Sequence, residues 1–186
     1  RKERREALAQ GITIEVLTGA ALRESHWDDF FGFYMDTGER KWGQPYLNRR
    51  FFSLLGERMA DRVVLFLAMR AGRTIAGALN LMGSDCLFGR YWGCAEDHKF
   101  LHFETCYYQG IELALALGLT HFDAGAQGEH KLVRGFEPVI THSWHGIQHP
   151  GFRDAIADFI REEAEQVQGY FAEAETLLPF KQQTPQ

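Results

Sequence analysis

At 186 residues the chain is the size of one domain and long enough to bury a substantial core. A 45% hydrophobic composition with 15 Phe, 6 Tyr and 4 Trp excludes a disordered chain, and a net charge of −5 argues against a general binder of nucleic acid, DNA included, or of anionic membranes, though not against a local basic pocket. No apolar run approaches the ~20 residues of a membrane span, no secretory core opens the chain, and three cysteines without a CxxC pair suit a reducing, cytoplasmic setting.

Residues 1–11 read as a charged leader to a single domain, and 179–186 as a flexible tail. Ile12 to Leu17 alternates as a short strand. Ser25, with Asp28 three residues on, predicts the start of a helix carrying Trp27, Phe30, Phe31 and Tyr34 to about Met35. Asp36 to Tyr46 is then a polar and aromatic loop, and Asn48 caps a second helix with Phe51, Phe52, Leu55 and Met59 on one face. Three strands follow as a meander, Val63 to Met69, Thr74 to Leu81 and Leu87 to Trp92, with turns at Ala71-Gly72 and Gly83-Ser84-Asp85. A helix from His102 to Leu117 is stopped by Gly118, a strand covers His121 to Ala124, and Lys131 to Arg134 makes a brief helix ending at Gly135. Val139 to Ile147 predicts one more strand and Phe152 to Leu178 a final helix, whose acidic run Glu162, Glu163, Glu165 is its solvated side. The fold class is α/β, a mixed sheet flanked by helices.

The densest chemistry lies in Phe122-Asp-Ala-Gly-Ala-Gln-Gly-Glu-His-Lys-Leu-Val-Arg-Gly-Phe136. Polar groups are poor core material unless partnered, and loops on a rigid scaffold are where binding groups gather. His130 beside Glu129 supplies acid/base capacity near neutral pH, Gln127 adds an amide, and Lys131 and Arg134 share one helix face fit for an anion. The plain alternative is a solvated turn with capping residues.

The order of elements is similar to the GNAT acyltransferase fold, and His130-Lys-Leu-Val-Arg-Gly-Phe-Glu137 resembles that superfamily's Leu-x-x-x-Gly-Phe helix end. The stretches Arg40-Lys-Trp-Gly-Gln-Pro-Tyr46, Gly89-Arg-Tyr-Trp-Gly-Cys94, Leu101-His-Phe-Glu-Thr-Cys-Tyr-Tyr108 and Gly125-Ala-Gln-Gly-Glu-His-Lys131 resemble its FemAB-like branch, named for bacterial peptidoglycan biosynthesis or recognition. The resemblance runs from about Gly11 to Phe180 and implies the C-terminal half of a longer protein. It further implies an N-acyltransferase in cell-wall metabolism, in which a small-molecule or peptide amine attacks the donor directly. Within that class the expected donor is an acyl-CoA, an acyl-carrier protein or an aminoacyl-tRNA, so a charged tRNA is a candidate partner. One departure stands out. The superfamily's glycine-rich pyrophosphate loop is replaced here by Gly93-Cys-Ala-Glu-Asp-His-Lys-Phe-Leu-His-Phe-Glu104, with the acids Glu96 and Asp97 where an anion would sit.

Acyl transfer to an amine needs a base, an oxyanion stabiliser and a proton for the leaving group. Glu129 or His130 is the expected base, with Glu104 as a third acid/base candidate. For binding, alternation along the strand puts Arg90 and Trp92 on one side and Tyr91 on the other; His102, Tyr107 and Tyr108 open the central helix; Arg40, Lys41 and Trp42 form a lid in the first loop. Cys94, His98, His102 and Cys106 recur every four residues, but the run 95–99 reads as loop, so no metal is expected. No Ser/His/Asp or Cys/His arrangement suggests a covalent intermediate. A non-catalytic GNAT-fold module that binds a cell-wall fragment or a protein is the rival reading.

Overall fold

A computed structural model of the protein describes residues 2–41, 43, 45–126 and 128–180, apart from the side chains of residues 39–41. The chain forms two compact units, 1–125 and 126–186.

The first unit is a five-stranded sheet in the order β1-β2-β3-β4-β5, built from β1 (Ile12–Leu17), β2 (Val63–Arg70), β3 (Arg73–Met82), β4 (Cys86–Cys94) and β5 (His121–Asp123). All pairs are antiparallel except β4 with β5. Because β2 is covered on both faces, it is apolar from Val63 to Met69 rather than alternating. Val63, Leu65 and Leu67 pack against α2 (Glu24–Lys41) and α3 (Arg49–Met59), among Trp27, Phe30, Tyr34 and Phe52. Val64, Phe66 and Ala68 face the opposite layer, which includes Leu101 and Cys106 of the central helix and Leu8 of α1 (Lys2–Leu8). Full burial of one such side chain stabilises by roughly 2 kcal/mol, so this double-sided strand anchors the unit.

Local chemistry explains several boundaries. The Asn48 side chain accepts the Phe51 N–H at 3.0 Å and starts α3 as its sequence predicts. Ala71 and Gly72 both take positive φ, 49° and 75°, closing the β2–β3 hairpin. At Gly93 a Cβ would lie 2.5 Å from the Phe33 carbonyl oxygen, so only glycine lets α2 approach β4 so closely.

Four expectations are corrected. Residues 2–8 of the leader are helical, because Ala7 and Leu8 give this charged segment an apolar edge for the sheet. Helix α2 starts at Glu24, so Ser25 lies within its first turn, and the His26 Nδ1 accepts the Arg23 N–H at 3.2 Å. It also runs on to Lys41 instead of ending at Met35, consuming much of the expected loop. The central helix is not uniform: α4 (Leu101–Phe103) passes into a π-helical turn, Glu104–Tyr108, and then into α5 (Gln109–Ala116).

The second unit holds a 3-10 turn, Glu129–Arg134, and α6 (Pro150–Thr176). Pro150 at the first helical position and the His149 Nδ1, which accepts the Phe152 N–H at 3.2 Å, start α6. Residues 136–148 carry no regular secondary structure, so the strand expected at Val139 to Ile147 is absent. Alternation alone does not make a strand; it needs a backbone ladder to join, and the described sheet ends at β5.

Candidate functional site

The first unit opens at the carboxyl end of its parallel pair. The β4–β5 ladder stops at Phe88↔Asp123, while β4 continues to Cys94, so among the described residues no strand pairs with its last residues on that side. Ligands gather where parallel strands end and part. At the same level β4 carries a bulge. Tyr91 opposes Leu79 and Gly89 opposes Asn80, leaving Arg90 as the extra residue. Past Asp123 the chain turns away, its carboxylate accepting the Gly125 N–H at 2.7 Å.

The bulge changes where Arg90 points. Strict alternation puts Arg90 with Trp92, but its guanidinium lies 4.4 Å over the Tyr91 ring and donates to the Tyr46 hydroxyl at 3.1 Å. The Tyr46 and Tyr91 hydroxyls also bond to each other, and Tyr34 packs edge-on to Tyr91 at 5.2 Å. Burial, then the bond to Tyr46, pushes the Tyr91 phenol above its ordinary range although Arg90 opposes it, so it stays a neutral donor. No carboxylate pairs with Arg90 among the described residues, which leaves a stacked guanidinium available to an anion. Asn80, 1% exposed, is the polar exception inside β3 and donates to the Ala78 carbonyl at 3.3 Å.

On the opposite face Trp92 stacks near His102 at 5.3 Å, and His102 lies 5.4 Å from Tyr107. These three expected binding residues therefore form one aromatic cluster. The Tyr108 hydroxyl donates to Glu3 at 2.6 Å. Glu104, 0% exposed, is gripped by Arg4, whose Nε reaches Oε2 at 2.9 Å and Nη2 reaches Oε1 at 2.9 Å, while Gln109 donates to Oε1 at 2.7 Å. Both of its oxygens are thus engaged inside the π-helical turn. Arg4 also bonds Glu112, and this partner holds that carboxyl below its ordinary value.

The segment ahead of the central helix is closed to a phosphate nest. The Ala95 and Glu96 N–H groups both donate to the Ile75 carbonyl, at 2.8 and 3.4 Å, and Phe100 takes a left-handed φ of 64° before the Leu101 N–H turns back to His98. Glu96 is not the bare repulsive charge that its sequence position suggests. It meets His98 at 2.9 Å, Arg70 at 3.0 Å and Arg73 at 3.4 Å, and the bonds to His98 and then Arg70 hold its carboxyl low. His98 further bonds Gln10, and among the described residues no group of three His, Cys, Asp or Glu side chains could hold a metal ion.

In the second unit Glu129, His130, Lys131 and Arg134 share the 3-10 turn. The His130 ring folds back over Gly128, where a Cβ would fall 2.4 Å from its Cε1. Burial, then the charges of Arg134 and Lys131, lowers the His130 pKa below its ordinary 6.5, so the imidazole is neutral and basic at pH 7. Arg134 donates to the His130 carbonyl at 2.6 Å. Gln127 and Trp42 lie outside the described residues, as do the side chains of Arg40 and Lys41.

Three participants escaped sequence reasoning. Asn80 was legible as a lone amide in an apolar strand; Tyr46 and Arg4 were not, since their partners lie 44 and 100 residues away.

The FemAB-like family, described as peptidoglycan biosynthesis/recognition, matches residues 1–182. The chain belongs to the FemAB-like family. Nothing matches among curated proteins. Among solved structures, an aminoglycoside acetyltransferase from an uncultured soil metagenomic sample, in complex with sisomicin, is 9% identical with a TM-score of 0.55, covering 74% of this chain and 97% of its own. A possible acetyltransferase from Clostridium difficile 630 is 10% identical with a TM-score of 0.54, covering 74% and 99%. A Trypanosoma brucei acetyltransferase is 11% identical with a TM-score of 0.51, covering 73% and 99%. At these identities the likeness speaks for the fold, a GNAT-type mixed sheet flanked by helices. Family and fold together support an N-acyltransferase. No described helix is long and apolar enough to cross a membrane.

Proposed function

We propose that this FemAB-like protein transfers an acyl or aminoacyl group to an amine, by direct attack of the acceptor on the donor carbonyl, in cell-wall metabolism. The observation that carries the reading is the parting of β4 and β5 beside the bulge at Arg90, in a chain of this family. Arg90, stacked on Tyr91 and steadied by Tyr46, binds an anionic group of donor or acceptor, with Trp92, His102 and Tyr107 as an aromatic wall on the other face. His130 is assigned as the base, because its imidazole is held neutral; Glu129 orients substrate or water, and Lys131 and Arg134 supply positive charge. Glu104 is given a supporting role, as the buried partner that fixes the π-helical turn.

The donor is assigned as an aminoacyl-tRNA rather than a CoA thioester. With the Ala95 and Glu96 amides given to Ile75, this chain has no ready cradle for a pyrophosphate. Calorimetry with coenzyme A is expected to show little or no binding. A dissociation constant near a micromolar, about −8 kcal/mol, would restore an ordinary acyl-CoA enzyme. The same tied amides favour the rival, a non-catalytic module binding a cell-wall fragment. Transfer from charged tRNA to a peptide amine, abolished in His130→Ala, would reject it.

A further inference from the structure

Of the 27 residues of α6, Ala174 alone is buried. Yet Phe152, Ile156, Phe159, Ile160, Val167 and Tyr170 fall on one side of it, within an arc of about 100° at about 3.6 residues per turn. Phe152 and Phe159 are each 57% exposed and Tyr170 54%. A helix normally turns such a stripe to a core, and a continuous apolar face left in water marks an interaction surface.

Charge says what covers it. The helix holds seven acids and two arginines, against 25 acids and 20 bases in the whole chain. The remaining residues therefore carry 18 of each sign, and α6 alone carries the net charge of −5. Glu163, expected on the solvated side, falls inside the apolar arc, one turn from Phe159 and one turn from Val167. A second copy packed through this stripe would set two surfaces of −5 and two Glu163 carboxylates against each other, and like charges across a seam repel. A lipid surface fits no better, since helices that lie on membranes carry lysine and arginine on their polar side. We propose that α6 is the docking face for a basic amphipathic helix, whose apolar side covers the stripe from Phe152 to Tyr170 and whose lysines or arginines meet Glu163 and the flanking Glu162. The site is independent of the acyl-transfer reading and stands or falls without it.

The test is titration of the full chain with a fluorescein-labelled synthetic helix of about 18 residues, matching the roughly 28 Å of the stripe. It carries leucine on one side and lysine elsewhere, and a twin carries glutamate in place of lysine. The lysine helix should bind with a micromolar dissociation constant, and the twin at least roughly ten-fold more weakly. In the chain, Ile160→Gln with Val167→Gln, both at exposed positions, should weaken binding roughly ten-fold. Glu163→Gln should weaken it roughly three-fold, while Glu165→Gln, on the opposite side of the helix, should change little. Circular dichroism checks that each variant keeps its helix. No binding of the lysine helix overturns the proposal. Equal weakening by Glu163→Gln and Glu165→Gln also overturns it, reducing the contact to general charge attraction. Dimerisation in sedimentation that the double variant abolishes would put a second copy on the stripe instead. Binding to phosphatidylcholine vesicles that the lysine helix does not displace would make it a lipid surface. If the double variant does not fold, the comparison of Glu163→Gln with Glu165→Gln still decides.

Discussion

Two stretches of the first unit handle polar groups in opposite ways. From Ala95 to Gln109 they are tied inward: two amides to the Ile75 carbonyl, Glu96 to two arginines and a histidine, Glu104 to Arg4 and Gln109. At the bulge of β4 they are left available, with Arg90 stacked on Tyr91, bonded to a phenol and opposed by no carboxylate among the described residues. Polar groups are therefore spent at the start of the central helix and left available on β4. On the reading proposed above, the contrast separates groups that hold the structure from groups that serve a ligand, and it can be broken by mutation. Loss of a tied group should cost folding, whereas loss of an available one should cost activity alone.

The largest expected effect belongs to His130. His130→Ala should lower turnover by roughly 10²–10⁴-fold with the denaturation midpoint unchanged, and Glu129→Gln should do less. Because the imidazole's pKa lies below 6.5, the acid limb of the rate profile should fall below that pH and vanish in the variant. The reverse ranking would make Glu129 the base. Next comes Arg4→Ala, which strands a fully buried carboxylate in the π-helical turn. Breaking such a pair costs about 3 kcal/mol, read as a lower midpoint in urea, and Arg4→Ala with Glu104→Gln together should recover part of it. An Arg4→Ala protein that folds normally but transfers nothing would move Glu104 from the supporting to the reacting groups.

That division was only partly visible in the sequence. The strands β2, β3 and β4 and the Asn48 cap were legible because a run of Val, Leu and Phe between turn residues, or a capping amide before an apolar stripe, is local information. The bulge was not, since it exists only in the register of β4 against β3, and one extra residue was enough to move Arg90 from the side of Trp92 to that of Tyr91. Arg4 looked like part of a solvated leader because its two carboxylate partners arrive from the central helix. Conversely, Val139 to Ile147 has the alternation of a strand, but no local signal reports whether a neighbouring ladder exists.

A smaller effect should follow from Arg90→Met. The change keeps a flexible stem over the Tyr91 ring and removes the charge, so folding should be untouched while KM for the anionic substrate rises roughly ten-fold and kcat holds. Salt should weaken binding to the wild type more than to the variant. If kcat falls and KM stays, Arg90 acts on the transition state instead of on binding.

The smallest effect concerns Glu96 and is one of pH. Its bond to His98, then to Arg70, lowers its carboxyl in the folded chain from the ordinary 4.5. A carboxylate depressed on folding stabilises the fold above its unfolded pKa, and that contribution is lost as pH falls through the folded value. The protein should therefore lose stability on acidification below about pH 4.5, and Glu96→Gln should flatten part of that slope. Glu24 and Glu112, also held low by arginine and hydroxyl partners, keep the rest. The same variant probes the phosphate question: if repulsion by Glu96 were what kept coenzyme A away, Glu96→Gln would gain affinity for it. No gain is expected, because the Ala95 and Glu96 amides remain bonded to Ile75 whatever the charge on the side chain.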